Sequence, residues 1–170
     1  MKFFLLRQDD RVINFASLPV QVDRKKVFLG KKPLYFDYKV PKPQEYIHFL
    51  PFIERPVFMV LEKAKKIFDT YQSQIEYRDF GLGNLKIQSL KVYYFMRPPE
   101  IECLSSKTEF HKNGDVKKIV LDLNKVGYNK VFRIQEIREN YLVASLEVVE
   151  TLLYKRVKYY VHQRVLRSLV

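Results

Sequence analysis

The residues able to do nucleophilic, acid–base or metal chemistry are few and poorly spaced for it. His48, His111 and His162 fall in a proline-rich stretch, a turn and a terminal strand, with no H-x-x-x-H or H-E-x-x-H pattern to set two imidazoles on one helix face. That spacing predicts no metal site. Ser105, Ser106, His111 and Asp115 supply a nucleophile, a base and an orienting acid within eleven residues. No G-x-S-x-G elbow accompanies them, and such triads are assembled from distant positions. Cys103, just after a short extended stretch, reads as a small buried hydrophobe rather than a reactive thiolate. "GLGNLK" (81–86) opens like a dinucleotide-binding loop, but Lys86 stands where the third glycine belongs and a strand is expected next. The expectation is a protein without catalytic residues, metal or cofactor.

Binding chemistry is better represented. "KVYYFMR" (91–97) and "KRVKYYVHQR" (155–164) interleave aromatic and basic residues, a pattern that can stack bases over a positive sheet or simply alternate core aromatics with exposed lysines. Formal charge is +12, with 15 Lys/Arg against 10 Asp/Glu in residues 1–85 and 16 against 9 in residues 86–170. The excess is spread rather than gathered in a tail. It suits a solvated basic surface, and equally an acidic macromolecular partner or nucleic acid.

These residues must be positioned by an ordinary core. With 47% apolar and 15% aromatic residues over 170 positions, the chain fits one domain burying roughly 70% of its unfolded surface. Disordered and fibrous classes are excluded. One cysteine cannot form an internal disulfide, the start "MKFFLLRQDD" is too short for a signal-peptide core, and no stretch nears the roughly 18 apolar residues of a membrane span. A cytoplasmic protein that does not enter membranes is expected.

Along the chain, "MKFFLL" has strand composition. Residues 20–56, which hold Pro33, Pro41, Pro43, Pro51 and Pro56 just after Pro19, should be irregular with short extended pieces such as 34–38. Val57–Val60 reads as a strand. Leu61, Ala64, Ile67, Phe68 and Tyr71 then mark one face of an amphipathic helix. Extended stretches are expected at 75–80, at 85–96 after a break at "GLGN", at 116–123, 131–135 and 141–144. The 116–123 and 131–135 stretches are expected to pair as a hairpin. Ser145 is expected to cap a second helix with its hydroxyl, and Leu146, Val149, Leu152 and Leu153 to form its apolar face. A valine- and tyrosine-rich strand, 157–165, follows. Segments 57–80 and 141–165 thus share the order strand, short helix, strand, the pattern of a degenerate repeat and also of any two unrelated units of that kind. The predicted fold is α+β: a single domain with a mixed or mainly antiparallel sheet and two short amphipathic helices packed on it.

Five pieces in order, "FFLLRQDDRVIN", "PVFMVLEKAKKIFDTY", "VYYFMRPPEIECLSSKTEF", "KKIVLDLNKVGYNKVFRI" and "YLVASLEVVETLLYKRVKYY", resemble the bacterial polymorphic-toxin immunity proteins of the eleventh immunity class, which overlap a Gram-positive domain of unknown function. Relatives usually carry a small hydroxyl residue at the start of the first helix, where Leu61 stands here. The resemblance implies an α+β domain that neutralises a toxin by tight binding without catalysis. The +12 charge favours a toxin of acidic or neutral surface over a basic nuclease. Tyr94, Arg97, Glu100, Arg133 and Arg138, beside the aromatic strands, are the candidate binding residues. The alternative is a nucleic-acid-binding domain using a basic, aromatic-rich sheet.

Overall fold

The computed structural model describes residues 1–18, 22–23, 25–85, 88–157 and 160–167. Pro19, Arg24, Lys86, the 158–159 part of the second basic–aromatic run and the side chain of His162 lie outside the described set. The elements are β1 (Phe3–Gln8), β2 (Tyr35–Asp37), β3 (Phe52–Ile53), β4 (Met59–Leu61), α1 (Glu62–Tyr71), β5 (Glu76–Asn84), β6 (Ser89–Arg97), β7 (Glu100–Ile101), β8 (Glu109–Phe110), β9 (Val116–Lys118), β10 (Val120–Leu121), α2 (Leu123–Val126), β11 (Val131–Ile134), β12 (Leu142–Ser145), α3 (Leu146–Tyr154) and β13 (Tyr160–Arg167). This is an α+β fold of mixed sheets in which antiparallel pairs predominate.

Strand alternation divides the interior into three parts. The five-stranded sheet, ordered β2-β5-β6-β4-β3, turns Tyr93, Phe95, Phe80 and Met59 toward a cluster roofed by Ala16, Tyr38 and Leu50 from the proline-rich segment. Its other face sends Phe52, Val60 and Met96 into a central core. That core also receives Leu6, Val131, Leu142 and Ala144 from the second sheet, and Ala64, Phe68, Val148 and Leu152 from the two long helices. The six-stranded sheet, β10-β13-β1-β12-β11-β7, buries Phe3, Leu5, Phe132 and Val143 on its far face under Cys103, Leu121, Val126 and Ile137. Each sheet therefore has one face on the shared core and one under an irregular cover. The Tyr71 and Thr151 hydroxyls, 2.7 Å apart, tie α1 to α3.

The two sheets are built alike. The order β2-β5-β6-β4-β3 is repeated by β10-β13-β1-β12-β11, and the senses agree. β2 runs parallel to β5 as β10 does to β13, and the remaining neighbours are antiparallel in both. Registers agree too. Val60 faces Phe52 and Tyr94 as Ala144 faces Val131 and Phe4, and Phe80 faces Tyr93 as Val165 faces Phe3. Leu61 N donates to Pro51 O just before β3, as Ser145 N donates to Lys130 O just before β11. The run β2–β3–β4–α1–β5–β6 thus has its counterpart in β10–β11–β12–α3–β13, with β1 standing where the second unit has no sixth strand of its own. By this register "FFLLR" (3–7) corresponds to "YYFMR" (93–97).

Several local expectations are corrected. "GLGN" does not break the chain: Gly81 to Asn84 complete β5, and the turn lies beyond Asn84. Glycine is required there for closeness, because a Cβ on Gly83 would stand 2.6 Å from Ser89 O. The 116–123 stretch does not pair with β11. β9 pairs with β8, β10 runs parallel to β13, and β11 lies between β12 and β7. Asp122, whose carboxylate accepts from Asn124 N at 3.0 Å, instead starts the single turn of α2. Ser145 and Leu61 stand at equivalent helix starts with extended backbones, and neither side chain caps. The Ser145 hydroxyl is buried without a partner. The inward face of α3 is Val148, Val149 and Leu152, while Leu153 is exposed. Val157 lies outside the last strand, whose described span is Tyr160–Arg167.

Gly83→Ala is expected to cost about 1–3 kcal/mol by forcing the β5–β6 pair apart. Gly81→Ala, whose new methyl meets only the Leu90 and Tyr35 side chains at 3.1 and 3.2 Å, should cost less. Urea unfolding of both variants checks the order, and equal midpoints would refute the close-approach account.

Candidate functional site

One opening of the described surface lies where β6 ends and β11 begins to face it. Alternation along β6 buries Tyr93 and Phe95 on one face and Met96 on the other. Arg97 therefore falls at the rim. Pro98 and Pro99 then bring no backbone donor, and the chain swings across to β7, which pairs with β11 in the other sheet. Along β11, Val131 and Arg133 share the side of the strand that faces the central core, while Phe132 and Ile134 face away. At the open end of that core a charge can be tolerated, and Arg133 occupies it.

These elements enclose a cleft of about 460 Å³ lined by Arg97, Glu100, Arg133, Lys25 and Asn140 over Phe28, Val57, Phe58 and Met96. The Arg133 Nη1 donates to Glu100 Oε1 at 2.6 Å, across a register pair, and its Nε is buried with no acceptor. The Arg97 guanidinium lies over the Phe28 ring, 4.6 Å from its centroid, and its Nη2 bonds the Glu76 carboxylate. Three cationic side chains thus line the cleft against one carboxylate. A second hollow, of about 490 Å³, is lined by Arg55, Pro56, Arg138, Glu139 and Asn140. Asn140 touches both, and its amide is anchored by donating to Glu54 O at 3.0 Å.

The structure brings Arg97, Glu100 and Arg133 together and sets Arg138 in the neighbouring hollow. Tyr94 lies elsewhere, on the helix side of β6, where its hydroxyl bonds the Glu62 carboxylate and its phenol is pushed up to about 12 by that bond and by burial. Lys25 and Phe28 were not singled out from sequence. They come from the proline-rich segment, and only the basic run at 24–26 marks the place. Arg78 fixes that turn from β5, donating to the carbonyls of Val27 at 2.7 Å, Leu29, and Lys32 at 2.8 Å.

The residues with catalytic chemistry are differently disposed. Ser105 Oγ accepts from Lys107 N at 3.3 Å, and His111 N donates to Asp115 O at 2.8 Å; these are turn bonds. Among the described residues no group of three or more His, Cys, Asp or Glu is placed to hold a metal ion, and no helix is long and apolar enough to cross a membrane. Cys103 is buried, and its thiol is pushed up to about 12, mainly by burial and also by the nearby Glu136 carboxylate. Glu136 is itself occupied, accepting from Cys103 N at 3.1 Å and Leu104 N at 2.9 Å. In the aromatic run of β6, Tyr93 and Phe95 are fully buried and so are not free to stack on a base.

No family model matches the chain, and neither a curated protein nor a solved structure matches it.

Because the Cys103 thiol is raised in the folded chain, the unfolded chain loses that proton first as pH rises. Its contribution to stability is therefore full below about pH 9 and declines toward about pH 12. Thiol labelling at about pH 8 should run on the order of 100-fold slower in native protein than in denaturing urea. Equal rates would show the thiol to be accessible and ionised.

Proposed function

We propose that this is a non-catalytic protein-binding protein, an immunity protein that neutralises a cognate bacterial toxin by direct capture in the cytoplasm. The observation that carries the reading is the cleft in which Arg97, Arg133 and Lys25 surround an apolar floor of Phe28, Val57, Phe58 and Met96. Arginine beside aromatic and aliphatic surface is the composition of interface hot spots. A volume of about 460 Å³ accommodates a few partner side chains. Overall charge of +12 speeds encounter with an acidic or neutral surface and disfavours a basic nuclease. The ordered likeness of five segments to immunity proteins points the same way.

A nucleic-acid-binding reading draws on the same charge. It also needs exposed rings; of the β6 aromatics that suggested it Tyr93 and Phe95 are spent on the core, while Tyr94 is partly exposed and the side chains of 158–164 lie outside the described set.

Co-expression with each toxin-like reading frame encoded beside this one tests the proposal. Growth should be restored by one of them, and the two products should elute as a single complex. Failure to rescue any neighbour, together with retention on single-stranded DNA that weakens steeply with salt, would replace it with the nucleic-acid reading.

A further inference from the structure

The register equivalence of the two units makes a comparison between their ends that neither end makes alone. Arg7, the last residue of "FFLLR", corresponds to Arg97, the last of "YYFMR". Glu54 follows Ile53 at the end of β3 as Arg133 follows Phe132 in β11, and those neighbours are matched because Met59 faces Ile53 as Val143 faces Phe132. Arg7 and Glu54 pair with each other. Arg7 Nε and Nη2 donate to the two Glu54 carboxylate oxygens at 2.8 and 3.2 Å, Gln8 N donates to the same carboxylate at 3.3 Å, and the Arg7 guanidinium lies over Tyr141. In the matched joint between β6 and β11 the corresponding residues are Arg97 and Arg133. Two arginines stand where one arginine and one glutamate pair, and there the cleft opens.

Each of these arginines retains donors. Among the described residues, Arg133 gives Nη1 to Glu100 and its buried Nε has no acceptor, and Arg97 gives Nη2 to Glu76. A guanidinium carries five N–H groups in a fork matched to a planar carboxylate. The floor of Phe28, Val57, Phe58 and Met96 excludes water on one side and suits an apolar neighbour of the bound acid.

From this we infer that the cleft seats the carboxylate of an Asp or Glu side chain on the protein partner, between Arg97 and Arg133, supplying the acid that Glu54 supplies to Arg7. The inference rests on the protein-binding reading and names the chemistry by which the partner is recognised. Glu76 and Glu100 hold the two guanidiniums apart and oriented until the partner arrives.

The test uses the full-length protein and N-acetyl-glutamate N-methylamide as probe, with the glutamine analogue as its uncharged control. The Nε–H resonances of Arg97 and Arg133 should shift saturably with the glutamate probe, and the glutamine analogue should bind ~10-fold more weakly. Arg97→Gln and Arg133→Gln should each weaken the glutamate probe ~10-fold, and Lys117→Gln should leave it unchanged. Arg133→Lys, which keeps charge and loses the fork, should weaken it as well and serves if Arg133→Gln folds poorly. Equal binding of the two probes, no shift at either arginine, or tighter binding of inorganic phosphate at the same arginines would overturn the inference. Toxin rescue by wild type and by Arg97→Gln/Arg133→Gln alike would remove the carboxylate seat and leave the immunity reading standing. Probe binding without rescue of any neighbour would do the reverse.

Discussion

The pairing of β1 between β12 and β13 is the contact on which the rest of the molecule depends. A strand from the start of the chain lies inside a sheet whose other members come from its second half, matched over Phe3–Leu6 on one side and Phe3–Gln8 on the other. Its side chains serve both faces, with Phe3 and Leu5 in one cluster and Leu6 in the central core. Closing a loop that spans nearly the whole chain costs only logarithmically more than closing a short one. What it demands is that the late strands exist before the early one can be paid back in contacts, which slows folding more than it weakens the product. The same strand supplies Arg7, so the pairing that completes the second unit also delivers the cation that locks it to Glu54 of the first.

The irregular covers are held by side chains that hydrogen-bond to main chain. Arg78 gathers three carbonyls of the proline-rich segment, and Glu136 takes two N–H groups of the segment after β7, while Glu139 takes Val116 N at 2.9 Å. A loop over a sheet would otherwise leave these groups without partners where the strand ladder cannot supply them. Two of the charged residues between β11 and β12, Glu136 and Glu139, thus serve as scaffolding. Arg138, with its guanidinium beside Gly114, stands over the same turn region.

The fold class and most strands were legible because alternation and helical spacing act locally. The "FFLLRQ" strand, the α1 face through Ala64, Ile67 and Phe68, and the break at Pro98–Pro99 all follow from residue type and period. Pairing was not legible for 116–123, because a two-residue strand such as β10 takes its partner from the distant β13. Nor could Gly81 and Gly83 be told from a turn, since glycine serves close approach and chain reversal equally. The likeness of the two units was visible only in part. Segments 57–80 and 141–165 take in the matched β4 and α1 with the start of β5, and β12 and α3 with most of β13, but the strand matching β6 precedes its own unit by most of the chain, so "FFLLR" and "YYFMR" are out of order for any reading along the sequence. Arg97, Glu100 and Arg133 could be named from sequence only as residues beside the aromatic strands; the pairing of β7 with β11 sets Glu100 against Arg133, and Lys25, Phe28 and Asn140 join them through folding alone.

Two like units meeting across one core present two matched joints, and here they are treated oppositely. At one, opposite charges stand at the matched positions and pair, with the guanidinium over Tyr141. At the other, like charges stand there, and Glu76 and Glu100 pair with them from the sides. Both of those acids are about half exposed and so are screened, and their hold on the arginines is correspondingly modest. Arg133 is not exposed in the same way: 16% of its side chain reaches solvent. A guanidinium so desolvated keeps an appetite for a carboxylate that a surface lysine lacks. The asymmetry therefore resides in which residue follows a buried phenylalanine or isoleucine at one strand end, glutamate after Ile53 and arginine after Phe132. That single difference separates a sealed joint from an open, positively charged cleft on otherwise matched backbone.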